Sequence, residues 1–218
     1  MFIAQNIQHI RQELPANVRL IAVSKTYDAE AIMEAYNAGQ RDFGESRPQE
    51  LLQKTAVLPH DIRWHFIGHL QTNKVKMVVP HISLIHSIDS ERLLHELNKF
   101  CEKSNTVARY LLQVYVAQEK TKFGFAPDEL LTFLQQNLSR YAHATPCGLM
   151  GMATYTDDTE QVRREFRQVK QLFDQAKPLV PHPELFTEIS MGMSHDYSLA
   201  IGEGATLVRI GTSIFGKR

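Results

Sequence analysis

The chain has 218 residues, 24 Lys and Arg against 24 Asp and Glu, and 43 % hydrophobic side chains. That length buries one sizeable core and no linker composition divides it, so a single domain over residues 1–218 is expected, and the balanced charge excludes a global field for nucleic acid or an acidic membrane. No apolar run is long enough to cross a bilayer and the N-terminus has no signal-peptide pattern; Cys101 and Cys147 lie far apart at no metal-ligand spacing, so a cytoplasmic protein without metal is expected.

Ile3, Ile7, Ile10 and Leu14 recur at helical spacing until Pro15, which predicts a leading amphipathic helix. Leu20 to Lys25 is a short β-branched run, read as a strand with Lys25 at its C-terminal tip. Asp28 then serves as N-cap to a helix bearing Ile32, Met33 and Tyr36 that Gly39 closes. Asp42 to Glu45 is a second strand, and Pro48 opens the next helix. Ile62 to Gly68 alternates as a third strand, before helical Thr72 to Val79, ended by Pro80. Ile82 to His86 is read as the fourth strand, followed by a helix capped by Ser90 with Leu93, Leu94, Leu97 and Cys101 on one face.

Tyr110 to Val116 is the fifth strand; a loop at Glu119 to Phe125 precedes a helix begun by Pro127 and carrying Leu130, Leu131, Leu134 and Leu138. A weaker sixth strand at Pro146 to Met150 leads to a long helix with Val162, Phe166, Val169 and Phe173 on one side. Leu185 to Ile189 reads as the seventh strand, Asp196 to Ile201 as a helix and Ala205 to Ile210 as the eighth strand. Eight strands alternating with seven helices, plus one helix in front, predict a closed (β/α)8 TIM barrel; a doubly wound open sheet would leave edges that nothing visibly protects.

In a barrel, function gathers where strands end, which directs Lys25, Ser46, His86, Met150, Ser190 and Arg209 to one mouth. A lysine with its stem against apolar walls there would lose some of its affinity for a proton, and its neutral amine could form a Schiff base. The loops after strands seven and eight, Ser190-Met191-Gly192-Met193-Ser194-His195-Asp196 and Arg209-Ile210-Gly211-Thr212-Ser213, combine glycine with hydroxyls and exposed amides where barrels hold phosphate. Taken singly, Ser194 reads as an N-cap and Gly211 as a turn; taken together, where barrels hold phosphate, the two loops read evenly as caps or as a cradle. A Schiff-base lysine and a phosphate cradle at one mouth describe pyridoxal 5′-phosphate (PLP), with Arg209 near the pyridine nitrogen, where a donor keeps that nitrogen unprotonated and weakens the electron sink.

A Schiff-base enzyme would fit the same cradle, either an amino-acid racemase-like one or a barrel aldolase using Lys25 on a sugar phosphate. Gly192-Met193-Ser194 resembles the start of a hydrolase elbow, but Asp196 stands where the second glycine belongs and adjacent residues cannot form the relay of a triad. His65 and His69 are spaced like helical metal ligands yet straddle a strand end, so packed or surface histidines are expected; Lys120 and Lys122 read as a solvated loop.

Ala22-Val23-Ser24-Lys25, Phe43-Gly44-Glu45-Ser46, Trp64 through Lys74, His86-Ser87-Ile88-Asp89, Lys122-Phe123-Gly124, Gly148-Leu149-Met150 and the two glycine-hydroxyl loops together resemble the pyridoxal phosphate homeostasis protein family, itself similar to the barrel domain of alanine racemase. The resemblance implies a fold-type III PLP barrel in which Lys25 carries PLP as a Schiff base and Arg209 approaches the ring nitrogen. It places Ser194, Gly211 and Thr212 on the phosphate, with Ser46 and Met191 beside the cofactor; Ser46 replaces the family's usual Asn with a shorter hydroxyl. It further implies a monomer that buffers PLP or delivers it to apo-enzymes, without catalytic turnover. Alanine racemase takes its second acid/base from a separate β domain, and this chain ends at Arg218, just past the eighth strand, so an open PLP face favouring exchange over guarded chemistry is expected.

Overall fold

The structure, a computed structural model, describes residues 2–117 and 123–216. Eight parallel strands close in sequence order: β1 Arg19–Val23, β2 Asp42–Glu45, β3 Arg63–Phe66, β4 Leu84–Ile88, β5 Ala108–Gln113, β6 Ala144–Met150, β7 Glu188–Ser190 and β8 Leu207–Ile210. Closure is direct, since Ile21 of β1 lies opposite Arg209 of β8 and Val23 opposite Gly44 of β2. Every strand therefore has two neighbours and no edge is left open, which overturns the open-sheet alternative.

Helices cover the outside: α1 Phe2–Glu13, α2 Ala29–Asn37, α3 Pro48–Thr55, the short α4 Val75–Val78, α5 Glu91–Ser104, α6 Pro127–Gln136, α7 Thr159–Ala176, α8 Tyr197–Gly202 and α9 Thr212–Phe215. The leading helix α1 packs against α2 and α9, and Asn6 Nδ2 donates to Ile214 O at 2.9 Å, so it covers the seam where the first and last strands meet. Asp28 and Ser90 cap α2 and α5 through their side chains, as their residue types foretell.

Strand alternation sorts side chains into two layers. Leu20, Ala22, Phe43, Trp64, Phe66, Ile85, Tyr110, Leu112, Leu149, Ile189, Val208 and Ile210 face the helices. Ile21, Leu84, Leu111, Cys147, Met150 and Leu207 fill the barrel itself. The interior is a packed layer below the mouth, so Met150 and His86, expected at the rim, are buried within it.

Boundaries move where apolar character outruns pairing. β4 begins at Leu84 and continues to Ile88, because Ile82 is extended without joining a strand and His86 and Ser87 supply polar residues that still pair. β5 starts at Ala108 and stops at Gln113, and β7 is only Glu188–Ser190, leaving Leu185 exposed. The helix expected at Thr72 to Val79 divides into a 3-10 turn at Thr72–Lys74, α4, and a second 3-10 turn at Val79–His81 that contains Pro80 rather than ending before it. The expected loop from Glu119 lies outside the described residues as far as Lys122.

Candidate functional site

β1 ends at Val23, so Lys25 stands in an exposed turn two residues beyond the strand, without the sheltered stem expected for it. Ile21 is an interior residue and alternation carries Val23, the last residue of β1, to the same inner face, with Lys25 in the turn directly above it. The turn is held from several directions. Thr26 adopts a left-handed φ of 65°, rare for a β-branched residue, and its amide donates to Glu50 Oε2 at 2.7 Å. Tyr27 stacks on Phe215 with centroids 4.6 Å apart and donates its hydroxyl to Gly216 O at 2.8 Å, clasping the Lys25 turn to the C-terminal segment.

Beneath the turn lies a buried ion pair. Lys54 Nζ donates to Ser24 O at 2.8 Å and to Glu45 Oε1 at 2.7 Å, and Ser24 Oγ donates to the same Glu45 oxygen at 2.6 Å. Burial pushes the Glu45 carboxyl above the usual range, with Lys54 and Ser24 opposing that shift; Glu45 Oε2 has no hydrogen-bond partner among the described residues. Sequence reasoning missed this pair, although an acid on the outward face of a buried strand was a visible signal.

Ser46, half-buried, follows β2 as Lys25 follows β1, and the two strands are paired, so these residues are rim neighbours. Gly68 explains how Ser46 is held: a Cβ at position 68 would fall 2.3 Å from Ser46 O, so only glycine permits that approach.

On the far side of β1 the two glycine-hydroxyl loops meet. Ser194 Oγ accepts from the amides of Gly211 at 3.3 Å and Ser213 at 3.4 Å, joining the loop after β7 to the one after β8. Gly192 turns with φ of 90°, and a Cβ there would lie 2.7 Å from that of Ala200, so the loop packs tightly on α8. Thr212 is exposed at the start of α9. Met191 departs from the cluster: its side chain is fully buried in the outer layer, so only its backbone borders the mouth. Asp196 Oδ1 accepts from Met193 N at 2.6 Å and its Oδ2 lies 3.3 Å from His195 Nε2, while the Ser194 hydroxyl is engaged by the Gly211 and Ser213 amides, so the serine–histidine link of a triad is not made here.

Arg209 is buried below these loops. Its Nη1 donates to Ser190 Oγ at 2.6 Å and its Nη2 to Gly151 O at 3.2 Å, both neutral oxygens. Burial lowers its pKa to about 10, with Asp196 the acid whose field opposes the shift. Even so it remains cationic at neutral pH, a buried positive charge at the top of the interior. His65 and His69 separate: His65 is interior, whereas His69 stacks on Phe123 at 4.0 Å and pairs with Asp89 at 2.9 Å.

A closed eight-stranded barrel with a lysine on its first rim turn and joined hydroxyl-glycine loops after its last two strands belongs to the alanine racemase class of barrel, and the family described as "Alanine racemase, N-terminal domain" matches residues 2–218. A "Pyridoxal phosphate homeostasis protein" of Aquifex aeolicus is 42% identical over 205 residues, 92% of this chain and 87% of the relative. PipY of Synechococcus elongatus, solved with PLP bound, is 39% identical, with a TM-score of 0.89 covering 98% of this chain and 100% of that chain. Alanine racemase from Bartonella henselae is similar in fold at a TM-score of 0.74 and 19% identity, covering 99% of this chain and 60% of that one. The chain belongs to the pyridoxal phosphate homeostasis protein family. No helix among the described residues is long and apolar enough to cross a membrane.

Proposed function

We propose that residues 1–218 act as one PLP-binding barrel domain that holds the cofactor in a cytoplasmic pool and gives it up to apo-enzymes, as a monomer and without turnover of its own. The observation that carries the reading is Arg209, a buried guanidinium whose bonds go to neutral oxygens and which faces the mouth two strand positions below Gly211. A donor-only group in that place suits an unprotonated ring nitrogen.

The residues present fit the whole ligand. Lys25 offers an amine from the exposed rim turn after β1, and Ser194, Gly211 and Thr212 offer hydroxyls and amides for a dianionic phosphate. Ser46, brought close by Gly68, borders the amine, and the Met191 backbone borders the phosphate loop. Bound PLP would supply an aldehyde for the Lys25 amine and a conjugated ring able to accept electrons. The protein's part is to bind: it grips the two ends of the ligand from neighbouring strands, and by keeping the ring nitrogen unprotonated Arg209 suppresses carbanion chemistry.

The test is direct. The purified full chain mixed with PLP is expected to gain near-visible absorbance, and borohydride reduction followed by tryptic mapping should place the cofactor's mass on the peptide containing Lys25. Lys25→Ala should lose the band while retaining weaker binding through the phosphate contacts. Absence of the added mass from that peptide, or racemisation of D- or L-alanine at ordinary enzymic rates, would overturn the reading.

A further inference from the structure

The barrel interior contains a line of polar residues that the binding site itself does not use. Ser190 Oγ, which accepts from Arg209, lies 2.8 Å from His86 Nδ1; His86 Nε2 lies 2.9 Å from His65 Nδ1; and His65 Nε2 lies 3.1 Å from Asp42 Oδ1. Asp42 in turn accepts from Arg63 Nε at 2.9 Å at the opposite, N-terminal rim of the barrel. Side-chain exposure is 3% at His65 and 8% at Asp42, and His86 and Ser190 are fully buried.

The direction of this line is fixed by its ends. Arg209 has donors and no acceptor; ionised Asp42 has acceptors and no donor. Asp42 stays ionised because hydrogen bonds from Arg63 and His65 overcome the burial that would raise its pKa, holding it well below the usual carboxylate range. His65 must therefore donate from Nε2, which leaves Nδ1 to accept from His86 Nε2. His86 Nδ1 then accepts the Ser190 hydroxyl proton, and a Ser190 lone pair is left for Arg209. Every donor points toward Asp42. The arrangement requires both imidazoles neutral. Burial lowers the pKa of each, and the charges facing them act in the same direction except one: Arg19 and Arg63 at the N-terminal rim and Arg209 above disfavour a second proton, while Asp42 favours it on His65.

We propose that Asp42, His65, His86 and Ser190 are positioning residues for Arg209, a one-directional hydrogen-bond chain through the barrel that aims its guanidinium at the ring-nitrogen end of the cofactor. The inference rests on the PLP reading above and deepens it. Its physical basis is the cost of an unmet polar group in a packed interior: with the Ser190 proton committed to His86, the hydroxyl cannot rotate to compete with Arg209 as a donor. Cutting one link releases that hydroxyl and, with it, the aim of the guanidinium.

The experiment has two arms on the full chain. Ring-nitrogen NMR of histidine-labelled protein, with and without PLP, should show His65 and His86 neutral near pH 7 with the proton on Nε2 in each; a proton on Nδ1, or a doubly protonated ring, overturns the chain whether or not Ser190 variants fold. In the second arm, Ser190→Ala should weaken PLP binding about tenfold, the effect of losing one charge-assisted hydrogen bond, and should shift the absorbance of the bound cofactor. Affinity for inorganic phosphate should stay unchanged, and Ser190→Thr, which keeps the hydroxyl, should restore the parent spectrum; a purely structural role for Ser190 would leave that spectrum unmoved. Parent protein that fails to take up PLP overturns the functional reading and the positioning role together. Parent that binds PLP while Ser190→Ala binds it with equal affinity and spectrum overturns the positioning role alone.

Discussion

Replacing Lys54 by Met removes the cation from a pair whose carboxylate is wholly buried: Glu45 has 0% and Lys54 9% side-chain exposure. Met keeps most of the stem packing, so the loss is chiefly electrostatic. Stranded beside Ser24 alone, Glu45 would escape by taking up a proton, and that escape sets a ceiling on the penalty. It costs about 1.4 kcal/mol for each pH unit above an unfolded-state value near ~4.3, or about 3.7 kcal/mol at pH 7 and about 1 kcal/mol at pH 5. Glu45 is already raised by burial in the parent, so part of this cost is present before the substitution, and a loss of about 3 kcal/mol at pH 7 is expected. The sign follows linkage: the variant's folded state binds a proton that its unfolded state releases, so its deficit grows as pH rises. Urea unfolding of PLP-free parent and variant at pH 5, 6 and 7 measures it, and Lys54→Met combined with Glu45→Leu should regain most of the loss. A deficit below about 1 kcal/mol at pH 7, or one equal at pH 5 and pH 7, would refute the argument.

Other consequences follow from the same geometry. His65 and His86 are depressed by burial, so the unfolded chain binds protons near pH 6.5 that the folded chain refuses; stability should fall from pH 6 to pH 5, with about 2 kcal/mol the ceiling for two rings, and a flat urea profile over that range would contradict the neutral pair. Asp42, depressed instead, adds stability above an unfolded value of about 3.9 that is lost only as pH drops further. Gly68→Ala would drive a Cβ against Ser46 O and should cost about 3 kcal/mol in urea unfolding while weakening PLP binding. Thr26→Gly removes a left-handed β-branched residue and should leave stability unchanged or raise it by up to about 1 kcal/mol; a marked loss would show that the Thr26 side chain contributes contacts of its own. Arg209→Glu should let the ring nitrogen hold a proton, making the bound cofactor's spectrum respond to pH differently from the parent's.

Much of the barrel was legible because its signals are local. β2 was bounded correctly by Asp42 and Glu45, and the caps Asp28 and Ser90 and the faces of α5 and α7 are statements about neighbours in sequence. β4 and β7 were displaced because apolar residues such as Ile82 and Leu185 look like strand whether or not a partner is present, and pairing is a long-range fact. The rim residues Lys25, Ser46, Ser194, Gly211 and Thr212 could be named from their place after strands. The depth of His86, Ser190 and Arg209 could not, because periodicity gives a side chain's face and not its height along the barrel axis. Their shared inward parity with Asp42 and His65 was nevertheless readable, and polar residues on the inner face of five strands form an unusual pattern for a packed core.

Tyr27 has a wider meaning. Its ring against Phe215 and its hydroxyl on Gly216 O fasten the turn that bears Lys25 to the segment that begins at Gly211, while Asn6 secures the same segment to the leading helix. The hooks proposed for the two ends of the cofactor thus belong to one buckle, fashioned from the first and the last of the described stretches. Loosening either stretch would slacken both hooks at once, so the grip as a whole answers to the seam of the barrel.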